Sequence, residues 1–518
     1  MARRSNAISP WVGAGALALV LALTFGTLIA VALRAETGRG LGPADWAAVR
    51  FTLLQAALSA LISVALAVPV ARALARRRFP GRGLLVTLLG APFILPVIVA
   101  VIGLIAVFGR QGLASQGLVA LGFEPISIYG FHGVVLAHVF FNLPLATRLL
   151  LQGWQAIPAE RFRLAASLGF GPGDIARTLE RPMLRAVVPG ALLVVFLLCL
   201  TSFAVALMLG GGPRATTVEL AIYQAFRFDF DLGKAALLGL VQVVVAGTAA
   251  LIALRVALPS ELGAGLDRVQ IRFDASSGLL RLQDGALIAF AALFLLLPLA
   301  AITAKGVPAL AALPAPVGWS ALRSLAVALV SSAITLALAL PIAALAQRRG
   351  FGIAEGLGTL TIAASPLVIG TGLFIIMFPL VDPQSLALPV TALVNAIMAL
   401  PFALRVLLPA LRDIEAAYGR LADGLGLAGV ARLRLLWLPR LRRPLGFSTG
   451  LAAALSMGDL GVIAMFASPE TATLPLQIYR LRDAYRMDDA MGAALLLLAL
   501  SLLLFWLFDR GGRINVDT

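Results

Sequence analysis

The sequence contains few of the side chains that most often bind metals or react with substrates. Cys199 is the only cysteine, and there are two histidines among the 518 residues. One cysteine cannot form a disulfide within the chain or a cysteine-based metal site. The sequence also has no cluster with metal-ligand spacing and no nucleophile–base pattern. We therefore expect no catalytic residues and no metal site, which argues against a membrane-embedded enzyme.

Lysine is almost absent as well. Lys234 and Lys305 are the only lysines in the chain. The phosphate-binding P-loop needs a Gly-Lys pair followed by Ser or Thr. Ala235 follows Lys234, and Gly306 follows Lys305. The chain therefore has no P-loop, and we expect it to bind no nucleotide or other cofactor of its own.

Charge is scarce and hydrophobicity is high. Charged residues make up 13% of the chain, against about 25% in soluble proteins, and the mean hydropathy is +0.98. Apolar runs of about 20 residues recur, long enough to cross a hydrocarbon core of about 30 Å. Because backbone groups in lipid must be bonded within the chain, we predict an all-α polytopic membrane protein. About twelve spans are predicted, at residues 11–33, 52–75, 84–108, 131–152, 187–210, 233–255, 285–304, 322–346, 355–379, 386–408, 446–467 and 490–508.

The net charge of +16 is unevenly distributed along the chain. Most arginines fall in the N-terminal segment, in the even-numbered loops between spans and in the C-terminal segment. Positive charge marks the cytoplasmic side of a membrane protein, so both termini are predicted to be cytoplasmic. Topology and lipid headgroups therefore explain the basic excess, and we expect a lipid bilayer as partner rather than a nucleic acid.

The chain is an internal duplication. LAASLGFGPGDIARTLERP at 164–182 and LADGLGLAGVARLRLLWLP at 421–439 agree at seven of nineteen positions, and in each a Gly precedes a Pro by 13 residues. Each half has an even number of spans, so the halves have the same orientation and can enclose a central path. The predicted domains are residues 1–258, a polar linker at 259–284, and residues 285–518.

The two duplicated stretches are polar and lie between apolar runs. In the first, Leu164, Ala165 and Leu168 are predicted to share one face of a short helix, and glycines separate it from a second short helix. Such helices could lie on anionic lipid. A fixed spacing in both halves favours docking of a symmetric partner instead, because lipid binding requires no such spacing.

The Gly–x12–Pro pattern before the penultimate span of each half resembles the EAA loop of ABC importer permeases. In that family this loop is a coupling helix that docks into a separate ATPase. The resemblance implies a type I importer fold and two coupling loops, the first at about 160–185 and the second at about 417–442. The implied coupling residues are Arg163, Leu164, Ala165, Leu168, Gly169, Pro182, Arg420, Leu421, Ala422, Leu425, Gly426 and Pro439. Arg163 and Arg420 stand where the family has its characteristic glutamate.

Longer stretches of sequence make the resemblance more specific. RRRFPGR at 76–82, HVFFNLP at 138–144 and GGGPRATTVELAIYQA at 210–225 look like the thiamine transport permeases, in which two halves are fused. The fused ferric-iron permeases share the size and the duplication, and they remain an alternative. The thiamine resemblance implies import of thiamine and its phosphates across the bacterial inner membrane. The implied partners are a periplasmic thiamine-binding protein and two copies of an ATPase that holds ATP and Mg²⁺.

Several residues in or near spans are candidates for the substrate path. They are Asp459, Phe203, Ser202, Asn142 and Asn395. Thiamine carries a permanent positive charge, so a carboxylate and an aromatic ring on opposite walls would suit its passage. A hydrogen bond between packed helices is the alternative role for Asp459 and for the two asparagines. An ion-coupled carrier would also need intramembrane charges, but it has no need of paired docking loops.

The loops at 211–232 and 468–489 are predicted to face outward. In the family this side receives the binding protein and closes the outer gate. The periplasmic-gate candidates are Thr217, Glu219, Tyr223, Thr473 and Tyr479. The alternative is that both loops are simply solvated.

Overall fold

A computed structural model describes residues 8–90, 94–210, 212, 215–254, 277–348 and 365–513. These residues form helices joined by short turns, with no strand among them. Eleven of the helical segments are long and apolar enough to cross a membrane, and Pro366–Met377 is a shorter apolar helix. The prediction of an all-α protein with about twelve spans is confirmed. The start of the predicted ninth span, at 355, lies outside the described residues.

The first half contains twelve helices in the described ranges. They are α1 (Pro10–Arg34), α2 (Pro43–Arg76), α3 (Arg82–Leu88), α4 (Val97–Phe108), α5 (Leu113–Ala120), α6 (Phe131–Ala156), α7 (Ala159–Ser167), α8 (Pro172–Ile175), α9 (Arg181–Leu200), α10 (Ala204–Leu209), α11 (Val218–Arg227) and α12 (Leu232–Leu254). A π-helical segment (Ala176–Glu180) joins α8 to α9. The predicted third span, 84–108, is therefore divided into α3 and α4.

The second half repeats this order in the residues that the structure covers. Its helices are α13 (Gly278–Leu310), α14 (Ala315–Ala346), α15 (Pro366–Met377), α16 (Ala387–Gly424), α17 (Gly429–Arg432), α18 (Leu438–Met457), α19 (Gly461–Phe466), α20 (Leu474–Asp483) and α21 (Met487–Arg513). A second π-helical segment (Leu433–Trp437) joins α17 to α18. The predicted linker, 259–284, lies largely outside the described residues, and α13 already includes its last residues. The domain division stays a prediction.

The two halves are packed in the same way. Helix α2 contacts α6 and α9, as α14 contacts α16 and α18. The N-termini of the short helices α11 and α20 are held by matching hydroxyl groups. The backbone N–H of Val218 donates to Thr52 Oγ1 over 2.9 Å, and that of Leu474 donates to Ser324 Oγ over 2.8 Å.

The first helix of each half packs on the opposite half. Helix α1 contacts α14 and α15, and α13 contacts α2 and α4. Glycines allow the close approach: a Cβ at Gly13 would lie 2.6 Å from the carbonyl oxygen of Pro341, and one at Gly103 would lie 2.8 Å from that of Pro298. The packing of α1 on the second half and of α13 on the first half joins the two halves into one helical bundle.

The penultimate span of each half is broken, although the spans at 187–210 and 446–467 were predicted as continuous. The first break, residues 201–203, separates α9 from α10, and the second, residues 458–460, separates α18 from α19. A break frees carbonyl groups that lipid cannot bond. At the first break, polar side chains bond them instead. Gln55 Nε2 donates to Cys199 O over 2.9 Å.

Candidate coupling surface and substrate path

Each coupling loop turns at its matched glycine. Gly169 has a φ of +69° and Gly426 a φ of +67°, a left-handed conformation that glycine adopts without strain. One residue further on, the N–H of Phe170 donates to Ala165 O over 3.0 Å, and that of Leu427 donates to Ala422 O over 2.9 Å. These are the same helix-ending bonds in both halves. The matched glycines therefore end matched helices.

Matched residues are exposed on the two loops. The four leucines at 164, 168, 421 and 425 are each 60–66% exposed, and the Arg163 side chain is 71% exposed. Arg420 is exposed as well. Ala165 and Ala422 are buried. The prediction that Ala165 shares a face with Leu164 and Leu168 was wrong, because Ala165 packs inward while both leucines point outward.

The predicted pair of separate short helices was also wrong. In the first loop α7 is separate, because Pro158 cannot donate its N–H and the chain breaks after Ala156. In the second loop Glu415 stands at the position of Pro158, and α16 runs unbroken to Gly424. In both loops the second helical segment continues through the π-helical segment into the penultimate span. Pro182 and Pro439 lie in the first turns of α9 and α18.

A tryptophan–glutamate hydrogen bond closes each coupling loop, with donor and acceptor exchanged between the halves. In the first half, Trp154 Nε1 on α6 donates to Glu180 Oε1 over 3.2 Å. In the second half, Trp437 Nε1 donates to Glu415 Oε1 on α16 over 2.6 Å. Glu180 and Trp437 occupy equivalent sequence positions, which is the signal that the sequence analysis missed. One sequence alone does not show that Glu180 bonds a tryptophan on the preceding helix, or that Trp437 bonds a glutamate there.

The breaks in the penultimate spans bring Asp459 and Phe203 together. Phe203 Cδ1 lies 3.7 Å, and Asp459 Oδ1 3.8 Å, from the point that a Cβ on Gly461 would occupy. Asp459 Oδ1 accepts a hydrogen bond from the Gly461 N–H over 3.2 Å. Asp459 Oδ2 is buried and has no hydrogen-bond partner among the described residues. Ser202 is half-buried in the opposite break. A carboxylate oxygen is therefore left available beside an aromatic ring.

Asn142 and Asn395 bond packed helices together next to these breaks. Asn142 Nδ2 donates to His138 O over 2.8 Å and approaches Cys199 Sγ at 3.4 Å. Asn395 Nδ2 donates to Ser456 Oγ over 3.0 Å. Both asparagines are buried. The structure thus places them in the helix-packing role that was the alternative to the path, and their path role stays a prediction.

The two loops that are predicted to face outward contain short helices with a buried face. Thr217 Oγ1 caps α11 by accepting the Leu220 N–H over 3.2 Å, and Thr473 precedes α20 at the equivalent place. Tyr223 is buried, with its ring 5.2 Å from that of Phe203. Tyr479 is half-buried beside Arg482. The Thr and Tyr candidates therefore occupy equivalent positions in the two loops, and Tyr223 lies next to the path candidate Phe203.

Glu219 is the gate candidate with the most unusual surroundings. Its side chain is fully buried, and in the described parts of the chain neither carboxyl oxygen has a hydrogen-bond partner. The side chains of Gln242 and Ser365 lie nearby. Burial raises the pKa of the Glu219 carboxyl to about 8. The carboxyl group is therefore neutral at pH 7, where α11 and α12 meet the second half.

Comparison with known proteins identifies the family. No protein-family model matches the chain. It is 41% identical to the thiamine transport system permease protein ThiP of Brucella abortus (strain 2308) over 522 residues, which cover 98% of this chain and 96% of the relative. The chain belongs to the thiamine transport permease family. The ThiP protein of Escherichia coli K12 is 41% identical over 487 residues, covering 91% and 90% of the two chains.

The permease also matches a shorter relative. The molybdenum transport system permease protein ModB of Azotobacter vinelandii is 30% identical over 178 residues, which are 34% of this chain and 78% of that protein. A match of this length is what a fused pair of permease halves would produce. The predicted role as the membrane permease of an ABC importer is confirmed, and so is a multi-pass protein of the bacterial inner membrane. The ion-coupled carrier is set aside.

The buried Glu219 predicts a pH dependence of stability. Its pKa is about 8 in the folded permease and about 4.3 in an unfolded chain. The folded state therefore holds an extra proton between these values, and stability falls as the pH rises through this window, then levels off. Glu219→Gln, which mimics the neutral acid, should remove that part of the fall. Thermal unfolding in detergent from pH 5 to 9 measures it, and equal slopes in both proteins would contradict the assignment.

Proposed function

We propose that this permease forms the path by which thiamine and its phosphates enter the cell. The main support for this proposal is the 41% identity, over 98% of the chain, to a thiamine transport permease. The path residues add support, because Asp459 and Phe203 place a carboxylate and an aromatic ring where a cation could pass. The fused ferric-iron permease is the second candidate, supported only by size and duplication.

The proposed complex contains a periplasmic thiamine-binding protein and two copies of an ABC ATPase that binds ATP and Mg²⁺. One ATPase docks on each coupling loop, since the loops expose matched arginine and leucine residues on matched turns. Both loops and both termini are then cytoplasmic, in accord with the distribution of arginines. Because Arg163 and Arg420 are exposed and positively charged, we expect acidic groups opposite them on the ATPase. The glutamate that is characteristic of the family would favour basic groups there instead.

The mechanism follows from how the coupling loops are built. Closure of the ATPases on ATP moves both loops. Each loop continues through its π-helical segment into α9 or α18, so the movement reaches the breaks at 201–203 and 458–460. Thiamine then passes between the halves. At the breaks, Asp459 offers a free carboxylate oxygen to the thiazolium ring, and Phe203 offers its ring face.

Uptake by whole cells tests the substrate. Cells deleted for this gene should lose uptake of labelled thiamine and keep uptake of labelled ferric iron. Restoring the gene on a plasmid should restore thiamine uptake. If iron uptake is lost and thiamine uptake is unchanged, the importer architecture stands, but the thiamine assignment and the cation role of Asp459 are discarded.

Charge reversal tests the docking surface. Arg163→Glu combined with Arg420→Glu should weaken co-purification of the ATPase by at least about tenfold, since a tenfold change needs only about 1.4 kcal/mol. Arg50→Glu combined with Arg110→Glu is the control, because both arginines are exposed at the opposite end of the bundle. Undiminished ATPase binding by the first pair would show that the arginines serve lipid headgroups instead.

The variant Asp459→Asn distinguishes two roles of this side chain: interaction with a passing cation, and acceptance of the hydrogen bond from the Gly461 N–H. Asparagine keeps an oxygen for the Gly461 N–H but removes the charge. We expect the kcat/KM for thiamine import to fall about tenfold, a loss of about 1.4 kcal/mol. Asp382→Asn, in an exposed turn, should leave import unchanged. Normal import by Asp459→Asn would assign the residue to capping alone.

A further inference from the structure

Five charged residues form a cluster where α2, the first coupling loop and α13 meet. We call Arg72, Arg76, Arg77, Glu180 and Asp284 the cross-half charge network. Arg77 Nε donates to Asp284 Oδ2 over 2.7 Å, and Arg76 lies 3.8 Å from the same carboxylate. On the other side of Arg76, Arg72 Nη2 lies 2.5 Å from Glu180 Oε2, and Arg76 itself is 4.0 Å from Glu180.

The middle of this network is shielded from solvent. The side chains of Arg76 and Glu180 are each 3% exposed, and that of Asp284 is 5% exposed. Two buried carboxylates are thus held by Arg72 and Arg76 of α2 and by Arg77, which directly follows that helix. Removing one partner of a buried ion pair leaves an uncompensated charge in the protein interior, which is strongly unfavourable. The network therefore resists separation and moves as a unit.

The network joins elements from different halves of the chain. Glu180 ends the π-helical segment within the first coupling loop. The arginines come from the end of α2. Asp284 belongs to α13, the first helix of the second half, 207 residues away from Arg77. A continuous series of ion pairs thus runs from the first coupling loop to the opposite half.

Within the described parts of the second half, no equivalent series of ion pairs is present at these positions. By the match of Pro69 with Pro341, Ala344 stands at the position of Arg72 and cannot form an ion pair. Arg348 stands at the position of Arg76, and its Nη2 donates to the carbonyl oxygen of Ile8, just before α1, over 3.1 Å. Among the described residues, this hydrogen bond to a neutral carbonyl group stands where Arg76 makes buried ion pairs.

At the second coupling loop, three charged residues bond to one another. Arg432 contacts Glu415 Oε2 at 2.5 Å and Asp423 Oδ1 at 2.6 Å. Glu415 also accepts the bond from Trp437. All four residues lie between 415 and 437, on α16, α17 and the second π-helical segment. This cluster stiffens its own loop, whereas the cross-half charge network ties its loop to the other half.

We propose that the cross-half charge network makes the two coupling loops inequivalent, so that movement of the first loop is transmitted directly to α13 of the opposite half. The inference rests on the proposed function for the role of the loops. Glu180, Arg76 and Asp284 are then positioning residues for transport, since they touch no substrate. The second loop acts on its own penultimate span.

Proteoliposomes containing the full complex with its ATPase and binding protein test the proposal. Asp284→Asn should raise the ATP hydrolysed per thiamine imported by about fivefold or more, the lower end of typical coupling effects. Exchanging the charges, with Arg77→Asp and Asp284→Arg together, should restore a low ratio. Asp413→Asn, at an exposed carboxylate, is the control for loss of one acidic group. An unchanged ratio in Asp284→Asn would overturn the proposal.

If Asp284→Asn folds poorly, a comparison of Arg76 with the equivalent residue Arg348 still tests the proposal. Arg76→Gln should raise the same ratio, whereas Arg348→Gln should change it by less than about twofold, below a typical coupling effect. Equal effects in both variants would show that the loops are equivalent and would overturn the proposal.

A distance measurement separates this inference from the choice of substrate. The single native cysteine, Cys199, is buried, so cysteines introduced at the exposed Thr178 and Gln283 can carry spin labels selectively. Trapping the complex with ATP should leave their separation unchanged in the otherwise native permease and change it in Arg76→Gln. If that holds while no thiamine is imported, the network stands and the substrate assignment fails. If the separation changes in the native background, the network does not transmit the movement.

Discussion

The hydrocarbon core of a bilayer offers no water to a backbone carbonyl, and the arrangement of this permease depends on that constraint. Breaking the two penultimate helices leaves carbonyl groups without their helical partners. Gln55 from α2 and Gln242 from α12 donate to the freed carbonyls of Cys199 and Leu200. Because neighbouring helices supply these donors, irregular backbone is stabilised at the first break. The candidate path residues Phe203 and Asp459 lie at these breaks.

The duplication conserves positions more closely than it conserves residues. The N-terminus of α11 is held by Thr52, and that of α20 is held by Ser324. Each coupling loop is closed by a tryptophan–glutamate hydrogen bond, but the helix carries the tryptophan in one half and the glutamate in the other. The geometry that the two halves share is therefore set by the contact and not by which side chain supplies it. This freedom also allows the halves to differ in how their loops are anchored.

The chain has few charged residues, and the buried ones have structural roles. Most arginines can be explained by the cytoplasmic face of a membrane protein. The buried ion pairs of Arg76 with Glu180 and Asp284 cannot, because a headgroup-facing arginine needs no buried partner. The carboxyl groups of Glu219 and Asp459, which form no ion pair among the described residues, are a different case. They lie where the halves meet, where a change in the packing of the halves would expose them to new partners.

Local hydropathy and residue types at fixed spacing predict the helical class, the number of spans to within one, the duplication and the matched turns at Gly169 and Gly426. A single chain displays these patterns directly. That the penultimate spans are broken, that Ala165 points inward and that Arg77 bonds Asp284 is visible in the folded structure alone. Each of these follows from contacts between segments far apart in the chain, such as the 207 residues between Arg77 and Asp284. Periodicity along one segment carries no information about which distant side chain will satisfy a freed carbonyl or a buried charge.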